Sequence, residues 1–131
     1  ALWVVKNKTI GVLGLAFKPD TDDMRFAPSI DIIQDLQNEG AKIKAYDPEA
    51  MEKAKNMLKD IIYCNNPYDA AKDADALLII TEWNEFRQLD MQKIKKLMKH
   101  HLIIDGGNIY NPEYMKKLGF HYISMGRKEV V

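Results

Sequence analysis

The alternation of apolar and polar stretches along the chain predicts a regular succession of strands and helices. A nearly unbroken apolar run at residues 9–16 is typical of a buried strand at the centre of a parallel sheet. Shorter apolar runs predict further strands at residues 41–46, 61–64, 76–81, 102–105 and 120–124. Segments between them, such as 29–39 and 91–98, repeat apolar residues at helical spacing. The order predicts an α/β fold, a three-layer Rossmann-like parallel sheet with helices on both faces.

Capping residues mark where the helices are expected to begin. Ser29 is the expected N-cap of the first helix, and Gly40 is its expected C-terminal stop. Three Asx-Pro pairs, at residues 47–48, 66–67 and 111–112, each predict a helix start, because an N-cap is followed by a residue pre-set for the first turn. Asp90 is the expected cap of the helix at 91–98.

The polar stretch after the first strand is the strongest candidate for a binding site. Ligands of open α/β sheets bind outside the carboxyl ends of the strands, and this stretch contains one Lys, one Arg and three Asp. Phe17 and Lys18 place an aromatic ring beside a cation, a pair suited to a nucleotide and its phosphates. On sequence alone, a solvated Lys18 is an equally good interpretation.

Gly11 and Gly14 are similar to part of a dinucleotide fingerprint, but their spacing is wrong and no helix follows at once. Close helix packing explains these glycines better than NAD binding by this domain alone. Asp47 occupies the place of a ribose-binding acid. A role as N-cap is the preferred explanation for it.

Composition narrows the function classes. Nineteen basic and nineteen acidic residues cancel, which argues against nucleic-acid binding. The apolar runs are far shorter than the roughly 18 residues of a membrane span, and no leader opens the chain, so we expect a cytoplasmic protein. Cys64, the single cysteine, is expected to pack in the core rather than act as a nucleophile. No His, Cys and carboxylate spacing suggests a metal site.

Five sequence matches in order support a resemblance to a known family. They are the segment GLAFKPDTDDMRFAPS at residues 14–29 and the segments at 46–48, 76–86, 104–108 and 119–127. The chain resembles the C-terminal, UDP-binding domain of the UDP-glucose/GDP-mannose dehydrogenase family over nearly its whole length. The resemblance implies a parent enzyme that converts UDP-glucose to UDP-glucuronate in two NAD-dependent hydride transfers, a step of polysaccharide biosynthesis.

The resemblance also implies roles for particular residues. The family residues matching Phe17 and Lys18 contact the UDP-sugar, and the one matching Arg25 reaches the NAD side of the cleft. Gly107 and Asn108 fall in a substrate-contacting Asp-Gly-Arg-Asn motif, in which Gly107 here replaces the arginine. Phe26 stands where the family usually has Glu. The catalytic cysteine and most of the NAD site are expected in the missing N-terminal domain, so this chain has no catalytic residue.

The expected organisation is the end of an interdomain helix or linker at residues 1–8 and a UDP-binding domain at 9–131. The parent is expected to be a homodimer and the isolated chain inactive. Two alternatives remain open: a dehydrogenase of another nucleotide sugar, such as a UDP-N-acetylhexosamine, and a non-enzymatic Rossmann-like or receiver-like binding module. An internal ion pair of Arg25 with Asp20, Asp22 or Asp23 also remains open. For Trp83 two interpretations remain, that it forms the wall of a pocket or that it serves in packing.

Overall fold

Six parallel strands form the sheet that organises the chain. The computed structural model describes residues 4–16 and 18–124. The strands are β1 (Thr9–Leu13), β2 (Lys42–Tyr46), β3 (Ile61–Tyr63), β4 (Ala76–Ile79), β5 (Leu102–Asp105) and β6 (His121–Ser124). Their order in the sheet is β3-β2-β1-β4-β5-β6, with every pairing parallel. This is the dinucleotide-binding type of strand order, and it differs from the 2-1-3-4-5 order of receiver-like folds.

The helices lie on both faces of the sheet, as the sequence pattern predicts. They are α1 (Pro28–Asn38), α2 (Met51–Ala54), α3 (Pro67–Ala71), α4 (Asn84–Arg87), α5 (Met91–Leu97) and α6 (Pro112–Leu118). Buried side chains of α1 and α2 share one core cluster, and those of α3 to α6 share the other. The predicted three-layer α/β fold is confirmed. Within the part of the chain that the structure describes, no helix is long and apolar enough to cross a membrane.

Of the predicted helix caps, Ser29 is wrong and Asp47 is right only in part, and both side chains also bind the segment after β1. Helix α1 begins at Pro28 with Ala27 at the N-cap position, and Ser29 donates its hydroxyl to the carbonyl of Leu15 at 2.6 Å. Asp47 accepts the N–H groups of Glu49 and Ala50 as a cap does, but a turn intervenes and α2 begins only at Met51. The other predicted caps, Asn66, Asp90 and Asn111, each accept the expected backbone N–H. Helix α4 was not predicted.

Glycine is required at position 11 in β1 and at position 14 just after it because a different part of the chain packs closely against each. A Cβ at Gly11 would lie 2.4 Å from the carbonyl oxygen of Ala70, so the prediction of close helix packing is confirmed there. A Cβ at Gly14 would instead meet Thr81, with its nearest atom 2.5 Å away, and Gly14 has φ +92°. The packing that requires Gly14 is therefore against the residues following β4, not against a helix.

Candidate functional site

The candidate site lies at the carboxyl edge of the sheet, around the point where the strand order reverses. From β1 the chain continues to β2 and β3 on one side, whereas β4, β5 and β6 extend on the other. The crevice between β1 and β4 is therefore the topological switch point at which such sheets bind ligands. Lys18 follows β1, Thr81 to Trp83 follow β4, and Gly106 and Gly107 follow β5.

Lys18 is exposed at this edge. Among the residues that the structure describes, it has neither a hydrogen bond nor an ion pair. Its ammonium group is therefore available to an anion. Phe17, its predicted partner in the site, lies outside the described residues. The sequence prediction for both residues stays a prediction.

Asp47 is fully buried and holds the start of the loop after β1. Its Oδ2 accepts the N–H groups of Leu15 at 2.7 Å and Ala16 at 3.1 Å, and its Oδ1 accepts those of Glu49 and Ala50, both at 2.8 Å. With four donors on one carboxylate, no acceptor site is open for a ribose hydroxyl.

The carboxyl edge of β1 consequently does not fit a dinucleotide. Thr81 occupies the space beside Gly14, and the Asp47 carboxylate accepts hydrogen bonds from backbone N–H groups. Helix α1 begins only at Pro28. In dinucleotide-binding sheets the helix follows the strand at once, and its N-terminus holds the pyrophosphate.

Arg25 forms the internal ion pair that the sequence analysis left open. Its Nη2 lies 2.9 Å from Asp23 Oδ2, and its Nε lies 3.1 Å from Asp23 Oδ1. The hydrogen bonds that Asp23 accepts from the Arg25 side chain and backbone N–H lower the pKa of that carboxyl to about 2. The Arg25 side chain is nevertheless 83% exposed. It lines a depression with Lys53, Asn56 and Met57, which lie in α2 and directly after it.

Phe26 is presented to solvent by a tight turn. The Ala27 N–H donates to the Met24 carbonyl at 3.2 Å, while Met24 and Ala27 are both buried. Phe26 is 92% exposed and has φ +58°, a conformation that costs most L-residues and favours Gly or Asn at this turn position.

Because the ring is exposed, Phe26→Gly should raise the free energy of unfolding by about 0.5–1 kcal/mol: relief of the left-handed backbone exceeds the added entropy of the unfolded chain. Phe26→Ala retains the Cβ and should match the original chain within about 0.5 kcal/mol. Urea denaturation of the three chains measures this. A loss of stability in Phe26→Gly would show that the ring makes stabilising contacts.

Asp105 organises the loop that contains Gly107 and Asn108. This buried carboxylate accepts the N–H groups of Gly107, Ile109 and Tyr110 at 3.1, 2.8 and 3.0 Å. It also accepts the hydroxyl of Tyr122. Asn108 has a left-handed φ of +54° within this loop. The loop geometry is therefore set from below by one side chain at the end of β5.

Gly107 lies beside Glu82, which follows β4. A Cβ at Gly107 would be 3.0 Å from Glu82 Cβ and 3.3 Å from Glu82 Oε2. A side chain fits there after small shifts, and it would meet a carboxylate. Where the family has an arginine, this chain has an exposed Glu82 and no cation on the Gly106–Tyr110 loop.

Trp83 and Cys64 both pack in the interior. Trp83 is 8% exposed and belongs to the same core cluster as Phe86, so most of its side chain packs in the interior, although it also lines a shallow depression at the surface. Its indole N–H is buried and has no acceptor among the described residues. Cys64 is buried as well, and burial raises the pKa of its thiol, which disfavours the reactive thiolate. The core role predicted for Cys64 is confirmed.

Metal binding has no support in the described part of the chain, where no group of three or more His, Cys, Asp or Glu side chains is arranged to hold an ion. A depression between the loop and α2 is lined by Asp20, Thr21, Asp22, Glu49 and Trp83. Its three carboxylates would repel a phosphate, so an anion is expected nearer Lys18.

Comparison with known proteins gives the family of the chain and agrees with its fold. Residues 11–112 match the model of the UDP-glucose/GDP-mannose dehydrogenase family, UDP binding domain. The chain is 49% identical to a UDP-glucose 6-dehydrogenase of Rhizobium meliloti, across 95% of this chain and 29% of that protein. It is 47% identical to UDP-glucose 6-dehydrogenase TuaD of Bacillus subtilis, across 96% of this chain and 28% of that protein.

Solved structures give the same result. A UDP-glucose dehydrogenase of Pyrobaculum islandicum matches with a TM-score of 0.75 and 29% identity, over 91% of this chain and 25% of that one. An NDP-N-acetyl-D-galactosaminuronic acid dehydrogenase of Methanosarcina mazei matches with a TM-score of 0.83 and 25% identity, over 96% of this chain and 26% of that one.

The chain is therefore a nucleotide-binding type of α/β domain with its candidate site at the switch point. It belongs to the UDP-glucose/GDP-mannose dehydrogenase family, as its UDP-binding domain. It spans little more than a quarter of the length of the two UDP-glucose 6-dehydrogenases described above, at 29% and 28%.

Proposed function

We propose that this domain binds the UDP end of a nucleotide-sugar substrate and positions its sugar for oxidation by an NAD-dependent UDP-glucose 6-dehydrogenase. The observation that supports this most directly is the exposed Lys18, which lacks a partner among the described residues and follows β1 at the switch point. A lysine in that place offers a point charge to phosphate. We take the nucleotide to be UDP because the chain belongs to the family as its UDP-binding domain.

The remaining sequence predictions complete this proposal. Phe17, Gly107 and Asn108 would contact the UDP-sugar beside Lys18. NAD would be held mainly by the rest of the parent enzyme, since the edge of β1 does not fit a dinucleotide, and the exposed Arg25 would reach toward it. The parent would be a cytoplasmic homodimer, in which this domain adds binding and orientation to chemistry performed elsewhere.

A different nucleotide sugar is the second candidate, and Gly107 is the observation that favours it. Glycine in place of arginine, next to the carboxylate of Glu82, removes a cation from the expected substrate contact. A substrate with an N-acetyl group would need hydrogen bonds from the loop of Gly107 that differ from those that UDP-glucose needs. Competition of UDP-glucose and UDP-N-acetylhexosamines for the parent enzyme distinguishes the two substrates.

An NMR titration of the 131-residue chain with UDP tests the proposal. We expect shifts in the amides of residues 17, 18, 20 and 105–108, and Lys18→Ala should weaken binding by about tenfold or more, because one charge-assisted hydrogen bond contributes roughly 1.5–3 kcal/mol. Lys42→Ala removes the same charge at the opposite edge of the sheet and should leave the affinity unchanged. The Lys18 effect should shrink as salt rises. Equal affinities in the two variants would reject Lys18 as the phosphate contact.

Gly107→Arg should tighten UDP binding by about tenfold, since it restores a cation to the loop. Gly107→Gln has a similar length without the charge, so it controls for the crowding against Glu82 and should bind no more tightly than the original chain. Isothermal titration at low salt measures both. If Gly107→Arg binds UDP no better than Gly107→Gln, the loop does not face the phosphates.

A further inference from the structure

The backbone N–H and C=O groups of Leu15 and Ala16, four groups in all, each form a hydrogen bond with a side chain. These two residues directly precede the predicted UDP-binding pair, Phe17 and Lys18. Both N–H groups donate to Asp47 Oδ2. The Leu15 carbonyl accepts the Ser29 hydroxyl at 2.6 Å, and the Ala16 carbonyl accepts the Thr81 hydroxyl at 2.7 Å. Buried backbone groups require hydrogen-bond partners, and the partners of these four groups are side chains rather than neighbouring strands.

The three side chains approach this segment from different elements. Ser29 lies in the first turn of α1, Asp47 follows β2, and Thr81 follows β4. Strands β2 and β4 flank β1 on its two sides, so the segment is held from both neighbours and from one covering helix. We call Ser29, Asp47 and Thr81 the clamp. All three are at most 5% exposed, at 0%, 0% and 3%.

Local structure does not account for the two hydroxyls. Ser29 makes no capping bond for α1, whose N-cap position is Ala27. Thr81 lies beyond the end of β4, and its close approach requires a glycine at position 14. Both hydroxyls instead fix carbonyls of the segment that leads into Lys18.

We propose that the clamp positions the UDP-binding loop, with Ser29, Asp47 and Thr81 as positioning residues that do not touch the ligand. This inference rests on the proposed function of Lys18. The Ala16 carbonyl is the last described backbone group before the predicted pair, so the Thr81 hydroxyl fixes the end of the segment that leads to Lys18. A loop that is ordered before the ligand arrives loses less conformational entropy on binding.

Thr81→Val tests the clamp, because valine keeps the shape of threonine and removes the hydroxyl. We expect UDP to bind about three- to tenfold more weakly, the effect of one neutral hydrogen bond, with the circular dichroism spectrum unchanged. Thr81→Ser restores the hydroxyl and should recover most of the affinity. Thr9→Val makes the same substitution at the other end of β1 and should bind UDP as the original chain does. All titrations are run where urea curves show each variant to be folded.

The outcomes separate the clamp from the site. If Lys18→Ala weakens UDP binding but Thr81→Val and Ser29→Ala do not, the positioning role is wrong and the proposed function stands. If Thr81→Ser binds as weakly as Thr81→Val, restoring the hydroxyl does not restore the affinity, which also overturns the positioning role of that hydroxyl. If UDP fails to bind the original chain, or binds Lys18→Ala equally well, the proposed function fails and the clamp inference fails with it.

Discussion

Asp105→Ala should lower the free energy of unfolding by about 3–5 kcal/mol. The substitution removes the carboxylate shared by three backbone N–H groups and the Tyr122 hydroxyl, although the hydroxyl has a second acceptor in the Tyr110 carbonyl at 3.2 Å. A buried donor without an acceptor costs roughly 1–3 kcal/mol, and the half-buried donors of Gly107 and Ile109 recover part of this from water. Since whole domains are stable by only about 5–15 kcal/mol, the effect should be visible as a large fall in the urea midpoint.

Two matched variants divide this effect. Tyr122→Phe removes a single O–H donor and should cost about 1.5 kcal/mol, while Asp105→Asn keeps one acceptor oxygen and should fall between Tyr122→Phe and Asp105→Ala. Hydrogen exchange at residues 107–110 should accelerate in Asp105→Ala. A cost below about 1 kcal/mol in Asp105→Ala would mean that the loop after β5 does not depend on this carboxylate.

Gly14→Ala should cost about 3 kcal/mol or more, for two reasons that a second glycine can separate. Gly14 and Gly40 both have φ +92°, so alanine pays a similar backbone penalty of roughly 1–2 kcal/mol at each. At Gly40 the atom nearest to the new Cβ is in the flexible Lys6 side chain at 3.1 Å, with the Lys6 Cα at an ordinary contact distance of 3.4 Å, but at Gly14 the Cβ meets the Thr81 backbone nitrogen at 2.6 Å. Overpacking of this kind adds roughly 1–3 kcal/mol.

Thermal and urea unfolding of Gly14→Ala and Gly40→Ala measure the difference. The excess cost at Gly14 is the contribution of close packing between the ends of β1 and β4. Equal costs at the two positions would contradict the close approach of Thr81 to Gly14. Gly14→Ala should also weaken UDP binding more than Gly40→Ala, because it displaces a residue of the clamp.

The strands were predictable because each is a short apolar run, and burial on both faces of a parallel sheet selects such runs. Asn66, Asp90 and Asn111 were predictable for a similar reason, since a cap acts on a backbone N–H only a few residues away. Helix α4 escaped prediction because it is a single turn whose N-cap position, Trp83, makes no capping bond.

The candidate site was only partly predictable. The loop with Lys18 and Arg25 stands out by its charge and its place after a buried strand. Ser29 was assigned to a local cap and Thr81 was not noticed, because their partners lie 14 and 65 residues away. For Asp47 the local cap accounts for Oδ1, but the bonds of Oδ2 span 32 and 31 residues. Short-range rules assign a polar side chain to the nearest backbone group. They cannot weigh a carbonyl that only the assembled sheet brings within reach.

The clamp also has a consequence for the order in which the chain folds. Asp47 reaches back 32 and 31 residues to Leu15 and Ala16, and Thr81 reaches back 65 residues. Contacts of such separation form late, because the entropy of closing long loops must be lost first. A nascent chain with β1, α1 and β2 in place would still lack one bond of the clamp until β4 joins the sheet. The proposed nucleotide site would therefore be complete only after β4 has joined the sheet, well after the residues expected to contact the nucleotide after β1 have been synthesised.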